Sequence, residues 1–487
     1  MKPCKFFTFL LLLGSALRGY CQEKTEQLSL DDALQIAKNQ SELAKGIRSD
    51  YQSSYWNFEA TKASLLPQIS INGEIPNYFR TINPITQPDG TVKLIAQSQV
   101  NSRIGVDIQQ NIMATGGSIF LSSGLSQYSI LGDTRYKYWQ SSPLVIGFQQ
   151  PLTLYNSLKW NYKEAKLRAS QATQRQIENF EDLSLRITTA YFDLYVAKMQ
   201  LQNATTNVVN NDTLYKISTG RYNLGKIAEN DLLQVELQLM NARNSLTQNE
   251  LSVSVNTGRL KNLLGIVDDS LQFDLTPVTD VPVFEVDVDK AIAEARKNRS
   301  DIIGFKLTED EAEMELKRAQ SSKFAGGSIS ASFGLNQSAG GLKQAYTNPL
   351  NSQHVDVSVS IPLVGWGRYK DNINSSRYNL ENTKENLEYQ QRDFNIQVET
   401  DVYQFKQLQG QLRIAAKSDT IAQKRYTLAK NRYMLGKISI TDLGLAQGDK
   451  DKALIEFIQT LEKYWVAYYQ LRRSTLYDFK ANREIQY

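Results

Sequence analysis

Cysteine is nearly missing from this 487-residue chain: only Cys4 and Cys21 occur, both within the first 21 residues. That excludes a disulfide framework or a thiolate metal site from everything that follows. Histidine is as scarce, and the single His354 lies in a serine- and valine-rich stretch, where it reads as a surface residue. An imidazole-ligated zinc centre or a histidine-dependent nucleophile therefore lacks its parts, while carboxylate-only sites stay open. Six methionines give no support to a dedicated soft-metal path. Excess charge of one sign is also lacking. The net charge is +4, and no basic patch marks a nucleic-acid surface. Long hydrophobic runs are absent beyond the first residues, and none approaches the ~20 residues of a membrane helix. Any part of the chain that crosses a bilayer must do so as closed β-structure, because unpaired backbone groups are too costly in lipid.

The first residues, "MKPCKFFTFLLLLGSALRGYC", combine a basic start, an apolar run from Phe6 to Leu13 and small residues after it. This is the pattern of a secretory signal peptide over 1–21, too short for a spanning anchor. Cleavage after Cys21, with Gly19 three places before the cut, is the preferred reading. Lipidation at Cys21 is the rival, although Arg18 and Tyr20 interrupt the small-residue run expected there. Removing Lys2, Lys5 and Arg18 with the signal lowers the net charge from +4 to +1.

What the chain does have is duplication. "RYNLGKIAENDLL" begins at Arg221 and "RYMLGKISITDLG" at Arg432, 211 residues later. The same offset carries "FQQPL", ending at Leu152, onto "VSIPL", ending at Leu363. Two matches at one offset indicate an internal repeat: 22–276 and 277–487 after the signal. Each half reads as helix, strands, very long helix, tight turn, helix. The opening helices rhyme, "DALQIAKNQSEL" from Asp32 with "KAIAEARKNRSDI" from Lys290. Between the halves "FDLTPVTDVPVFEVD", with Pro277 and Pro282, reads as a connector rather than a core element.

Strands alternate apolar and polar residues. Ile69, Ile71 and Ile75 do so in the first half, as do Leu144, Ile146 and Phe148; Ile329 to Leu335 and Val355 to Ile361 do so in the second. Such two-faced strands suit a barrel with lipid outside and water inside, and equally a soluble sandwich. The first half carries extra material from about 81 to 138, including a hairpin predicted to turn at Gly116-Gly117. Whether the strands around 98–130 join a barrel or decorate its mouth stays open.

The helices discriminate further. From about Leu154 to Thr219 there is neither proline nor glycine, and Leu183, Ile187, Ala190, Leu194, Ala197, Leu201, Ala204 and Val208 recur every three or four residues. That 3.5-residue period is the mark of coiled-coil packing. Val398, Val402, Phe405, Leu412, Ala415, Ala422, Tyr426, Ala429 and Tyr433 answer in the second half, broken by Gln409 and Asp419. A helix of about 65 residues is about 100 Å long. No compact domain contains that length. Gly225 and Gly436 read as the ends of these helices, since glycine accepts left-handed angles. Asp231 and Asp442 fall in the first turn of the next helix, where the dipole favours an acid.

With these residues in view the chain resembles the TolC-type outer membrane channel family. The resemblance covers nearly the whole chain after the signal, and its most specific part is the pair of "Y-x-L-G-K-I-x-x-x-D" turns. It implies an α+β fold: a membrane β-barrel continuing into a long α-helical coiled-coil barrel, with two structural repeats per chain. It also implies a homotrimer sharing one twelve-stranded barrel, four strands per chain. The turns 221–231 and 432–442 would lie at the periplasmic tip. Leu224, Gly225, Lys226, Leu435, Gly436 and Lys437 would face a periplasmic adaptor (membrane fusion) protein. Asp231, Asp442, Tyr433 and Lys437 would belong to the gate. Where a better-known gate pattern has arginine, Ile438 stands, so Lys437 or Arg432 would have to substitute. In the second half "KFAGGSIS" replaces "LLPQIS", so strand entry there lacks the expected proline.

The function so implied is a passive conduit in the outer membrane of a Gram-negative bacterium, with a large periplasmic part. It would serve a tripartite efflux or type I secretion system driven by an inner-membrane pump of RND, ABC or MFS type. Outer membrane lipid would be a partner and nucleic acid would not; no cofactor, metal or catalytic residue is expected. If three copies meet at the axis, Asp231 and Asp442 place six carboxylates in one opening, which should raise some of their pKa values and attract cations. Rival readings are a periplasmic adaptor or a structural coiled-coil envelope protein. An enzyme built on Glu309, Asp310 and Glu311 is disfavoured, because these acids read as the solvated face of a charged helix. The cargo is not written in the sequence.

Overall fold

The structure is a computed structural model that describes residues 24–131, 135–268, 270–278, 281–322, 326–360 and 363–487. The signal-like segment lies outside these residues, and so do Ile361, Pro362 and residues 323–325 of the second strand entry. Each half begins with a short helix that breaks and resumes: α1 (Leu30–Gln40) and α2 (Glu42–Ala63) in the first, α5 (Val288–Asn298) and α6 (Ser300–Ser322) in the second. Ser29 caps α1 in a reciprocal box with Asp32, and Ser41, extended at ψ 150°, ends α1 and caps α2. Each half then supplies strands, followed by a 67-residue helix and a 36-residue return helix. These are α3 (Ser157–Asn223) with α4 (Glu229–Leu264), and α7 (Arg368–Met434) with α8 (Ile440–Thr475). The predicted long helices are thus present in both halves, and most of the predicted heptad positions are buried. Among the described residues no helix is long and apolar enough to cross a membrane.

The strands β2 (Gln68–Thr86), β3 (Val92–Ile112), β4 (Gly117–Leu131), β5 (Tyr136–Pro151), β7 (Gly326–Ala339) and β8 (Leu350–Ser360) form one antiparallel sheet in that order. Here the structure departs from the expected four strands per chain. The hairpin does turn at Gly116, φ +78°, but it is inserted between β2 and β5 rather than set apart. Toward the helices the ladder keeps one face largely apolar, interrupted at Ser123 on β4 and Gln353 on β8. Ile71 opposes Val106, Leu121 opposes Ile108 and Ile146, and Phe333 opposes Ile146. The other face is polar and small, with Asn72, Gly105 and Gly124 in one row and Gly147, Ser332 and His354 in another. On that face Phe120 lies over its cross-strand partner Gly147, where a Cβ would collide with the ring. His354 is exposed, as its setting in the sequence suggested.

The core sits as a belt around the middle of the helices. Tyr191, Phe192, Phe405, Tyr464 and Leu471 are among its largest fully buried side chains. The stretch read as a connector belongs to this belt and not to a linker. β6 (Leu271–Leu275) pairs in parallel with β1 (Lys24–Leu28), and Phe273, Leu275 and Val286 are buried. Tyr191 donates its hydroxyl to the carbonyls of Leu28 and Thr276, and Tyr464 donates to that of Pro282. Its prolines punctuate a strap that packs through apolar side chains. Deeper still, Arg472 grips the fully buried Glu181 through Nε and Nη2 at 2.9 and 3.0 Å, while Nη1 reaches Asp478. Burial alone would lower the Arg472 pKa, but the hydrogen bonds and charge of Glu181 outweigh it and the net shift is upward. Tyr487 donates its hydroxyl to Glu181, and the Lys38 ammonium reaches the same hydroxyl at 2.8 Å. Burial holds the Lys38 pKa below its ordinary value.

The acid cluster on α6 also needs correction. Asp310 is 4% exposed rather than solvated, and it lies 2.9 Å from Lys163 and 3.2 Å from Lys306. Glu311 bonds Arg168 at 2.6 Å. These acids tie α6 to α3, and the identical charge pattern on a free helix would have looked the same in sequence.

Candidate functional site: the paired helical tips

Both long helices end in the same way. Gly225 and Gly436 take φ +68° and +71°. The Lys226 N–H donates to the Arg221 carbonyl at 2.9 Å and the Gly225 N–H to that of Tyr222 at 2.7 Å. Lys437 and Gly436 repeat this with Arg432 and Tyr433 at 2.9 and 2.8 Å. These paired bonds are the Schellman motif, which satisfies the last carbonyls of a helix and needs a left-handed residue. The repeated sequence motif is therefore two copies of one helix stop. Leu224 and Leu435 are left 73% and 70% exposed at the turns, with Lys226 and Lys437 exposed beside them.

The two return helices start differently. Ser439 caps α8 and shares a reciprocal box with Asp442. The Ser439 hydroxyl and backbone N–H donate to the Asp442 carboxylate, which holds its pKa below the usual value. Within one chain the direction is thus opposite to that expected for a ring of acids. Ala228 stands at the equivalent position of α4 and supplies no side-chain cap, so Asp231 is left outside any box. The two aspartates that matched in sequence are not equivalent in structure.

Just above the turns a small apolar cluster joins the hairpins: Leu214, Val235, Tyr433, Ile440 and Leu443, with Ile438 packed against it. Tyr433 is buried here, and the Arg221 guanidinium sits 5.6 Å from its ring centre. Ile438, where arginine was expected, is accounted for by this packing. Lys437 and Arg432 are exposed, and the cluster is apolar at the place where they were to supply charge.

Further along, the seam between α3 and α8 turns polar. Lys450, itself buried, reaches Asn203 at 3.1 Å and Asp451 at 3.0 Å, and Asn207 donates to Asp451 at 2.8 Å. Asn210 donates to the Tyr426 hydroxyl at 3.3 Å and accepts from Lys430 at 3.2 Å. A groove of about 650 Å³ opens beside these residues between α3, α4 and α8, lined by Asn207, Gln234, Gln238, Asn241 and Asp451 among others. Sequence reasoning missed this seam. Its signal was present as Asn203, Asn207 and Asn210 at helical spacing, but an asparagine stripe reads equally as a solvated face.

Among the described residues no group of three or more His, Cys, Asp or Glu could hold a metal. Two-faced sheet, very long hairpins and matched tips are the parts of a conduit wall. The family model for outer membrane efflux proteins matches residues 116–266 and 291–475. The chain belongs to the outer membrane efflux protein family. It is accordingly a channel protein of the outer membrane and not an enzyme. No curated protein matches its sequence. Solved channels share its fold. The Campylobacter jejuni CmeC outer membrane channel superposes with a TM-score of 0.68 at 14% identity, covering 94% of this chain and 87% of that one. For the Vibrio cholerae outer membrane protein VceC the values are 0.65, 13%, 94% and 97%. The open Neisseria gonorrhoeae MtrE channel gives 0.63 and 14%, covering 94% of this chain and 91% of that one. At such identities the likeness bears on the fold alone, and these folds are TolC-type.

Proposed function

We propose that this channel works as a homotrimer, a passive conduit from an inner-membrane pump to the outside, with a gated periplasmic tip that receives an adaptor protein. The observation that carries the reading is the continuity of the wall. A sheet with one apolar and one polar face passes directly into helices of 67 residues, about 100 Å at 1.5 Å per residue. A single sheet with two free edges cannot enclose water, so the wall needs further copies. The matched turns, each presenting an exposed leucine and lysine, suit docking by one type of partner at both hairpins. The polar α3–α8 seam supports a tip that moves, because interfaces rich in polar ties separate more readily than apolar cores.

Export by cells carrying the gene, and conductance of the purified protein in planar bilayers, test the conduit. A pure protein that is trimeric but never conducts, under any salt or pH, would count against it. The gate assignment has its own test. Replacing Asp231 and Asp442 together by Asn should reduce cation selectivity, read as a shift in reversal potential, with trimers still forming. At 1 M salt the effect should fade, since the Debye length is then about 3 Å. Unchanged selectivity at low salt would leave Asp442 as a helix cap only.

A further inference from the structure

We infer that the inserted β3–β4 hairpin is part of the membrane wall, so that the assembled barrel has eighteen strands rather than twelve. The inference rests on the trimeric reading above and goes beyond it in the number of strands each copy contributes.

Three observations lead there. First, β3 and β4 carry the same apolar face as their neighbours at the same height. Ile104, Val106 and Ile108 on β3 run level with the Ile69 and Ile71 end of β2, and Ile119 and Leu121 on β4 are level with Phe148 and Ile146 on β5. A hairpin that only decorated the mouth would not need a lipid-compatible face down to the helix junction. Second, its inner turn is fastened at that junction. Gln110 and Asn111 donate to the carbonyls of Leu65 and Ser64, where α2 ends just before β2. Asn156, the cap of α3, donates to the carbonyl of Met113, and Gln150 donates to that of Thr115. These bonds hold the turn in the wall between the α2–β2 and β5–α3 crossings. Third, the ladder is continuous from β2 to β8, and among the described residues its free edges are those two strands.

The free edges specify the occupant. Each exposes a row of unpaired N–H and C=O groups beside apolar side chains such as Ile71 and Val357, and in lipid every such pair of groups must find a partner. Six strands are too few to close on themselves around water. Because six is even, β2 runs away from the helices and β8 returns toward them. The β8 edge of one copy therefore meets the β2 edge of the next antiparallel, and repetition closes a ring. A second copy of this chain is the partner that both edges fit. With three copies the ring has eighteen strands, and since diameter grows roughly linearly with strand number, it is about 1.5 times as wide as a twelve-stranded ring. Within the described sheet, β2, β5, β7 and β8 are the strands that continue into helices or arise from them. Three turns at 113–116 would then form a ledge where the wide barrel meets the narrower tunnel, and the barrel would not be what limits cargo size.

Electron cryo-microscopy of the detergent-purified full-length protein counts the strands directly. Single cysteines placed along β3 and β4 supply an independent reading in outer membrane preparations. Positions 104, 106, 108, 119 and 121 should react only with bilayer-soluble maleimides, and 103, 107, 109, 118 and 122 with water-soluble ones, alternating with period two. Cysteine pairs on the two edges, at Ser70 or Asn72 with Ser352, His354, Asp356 or Ser358, should give covalent trimers on oxidation for at least one register. Eighteen strands with alternating labelling establishes the inference. A trimer with twelve wall strands and a uniformly water-accessible hairpin overturns it while leaving the conduit intact. Failure to find trimers at all overturns the underlying reading, and this inference with it.

Discussion

The buried pair Glu181–Arg472 offers the sharpest test of what holds the helical belt together. Glu181 is fully buried, and its two oxygens receive Arg472 at 2.9 and 3.0 Å in bidentate geometry. Arg472→Met would remove both bonds and leave the carboxylate with the Tyr487 hydroxyl alone. Breaking one side of such a pair costs about 3–5 kcal/mol, because an uncompensated charge stays buried. At about 1.4 kcal/mol per decade this is roughly two to three and a half orders of magnitude in the local opening equilibrium. Hydrogen exchange of α3 amides near Glu181 and α8 amides near Arg472, read by mass spectrometry on the solubilised protein, measures that opening without assuming global two-state unfolding. The double variant Glu181→Leu/Arg472→Met should recover most of the protection, since an apolar pair of similar volume often equals a buried ion pair. Unchanged exchange in the single variant would refute the claim that the pair closes the belt. A double variant as open as the single one would show instead that the geometry of Arg472, not the charge left behind, is what matters.

Three further outcomes follow from the tips and the belt. A Cβ at Gly225 or Gly436 would meet no atom within 4 Å, so alanine there should cost only the left-handed strain, about 1–2 kcal/mol. Asparagine should cost less and valine more, and export activity should fall in that order. Ala228→Ser should give α4 the cap that Ser439 gives α8, slowing exchange of the first α4 turn by about 0.5–2 kcal/mol, while Ser439→Ala should do the reverse to α8. Asp401 is buried and its pKa is raised above 3.8 by that burial, against hydrogen bonds from Gln470 and Gln397. A raised folded value favours the native state below the unfolded pKa, and that advantage is lost as pH rises through the folded value. Asp401→Asn should thus gain stability relative to the parent as pH increases from about 4 toward neutrality; equal melting shifts at both ends would exclude the effect.

Much of this architecture was legible because its governing signals are local and periodic. Leu183 to Val208 recur at the coiled-coil period, Gly225 and Gly436 stop helices by backbone chemistry, and Ile329 to Leu335 alternate. What stayed hidden depends on partners far away in the chain. Phe273 and Val286 looked like linker residues because Pro277 and Pro282 dominate their neighbourhood, yet β1 waits 247 residues earlier to pair with β6 at Lys24↔Leu271. Glu181 and Asp310 carry charge, and nothing in the sequence announces the Arg472 or Lys163 that permits their burial. The hairpin turn at Gly116 was readable, whereas its insertion between β2 and β5 is a property of the sheet. Asp231 and Asp442 matched by alignment, and the residue three places before each, Ala228 against Ser439, decides that they behave differently.

The polar face of the sheet has a physical consequence for transit. Gly105, Gly124, Ser122, Ser330 and Ser332 leave little side chain standing between the backbone and the space they border. Long flexible side chains would give such a surface a shifting, sticky nap, each ready to bind a passing molecule and surrender rotamer freedom in doing so. Hydroxyls and bare backbone give a hard, close-cropped lining instead. Friction along those rows would be low. Discrimination between solutes then falls to the few longer side chains of the same face, Arg103, Asp107, Phe120 and His354 among them.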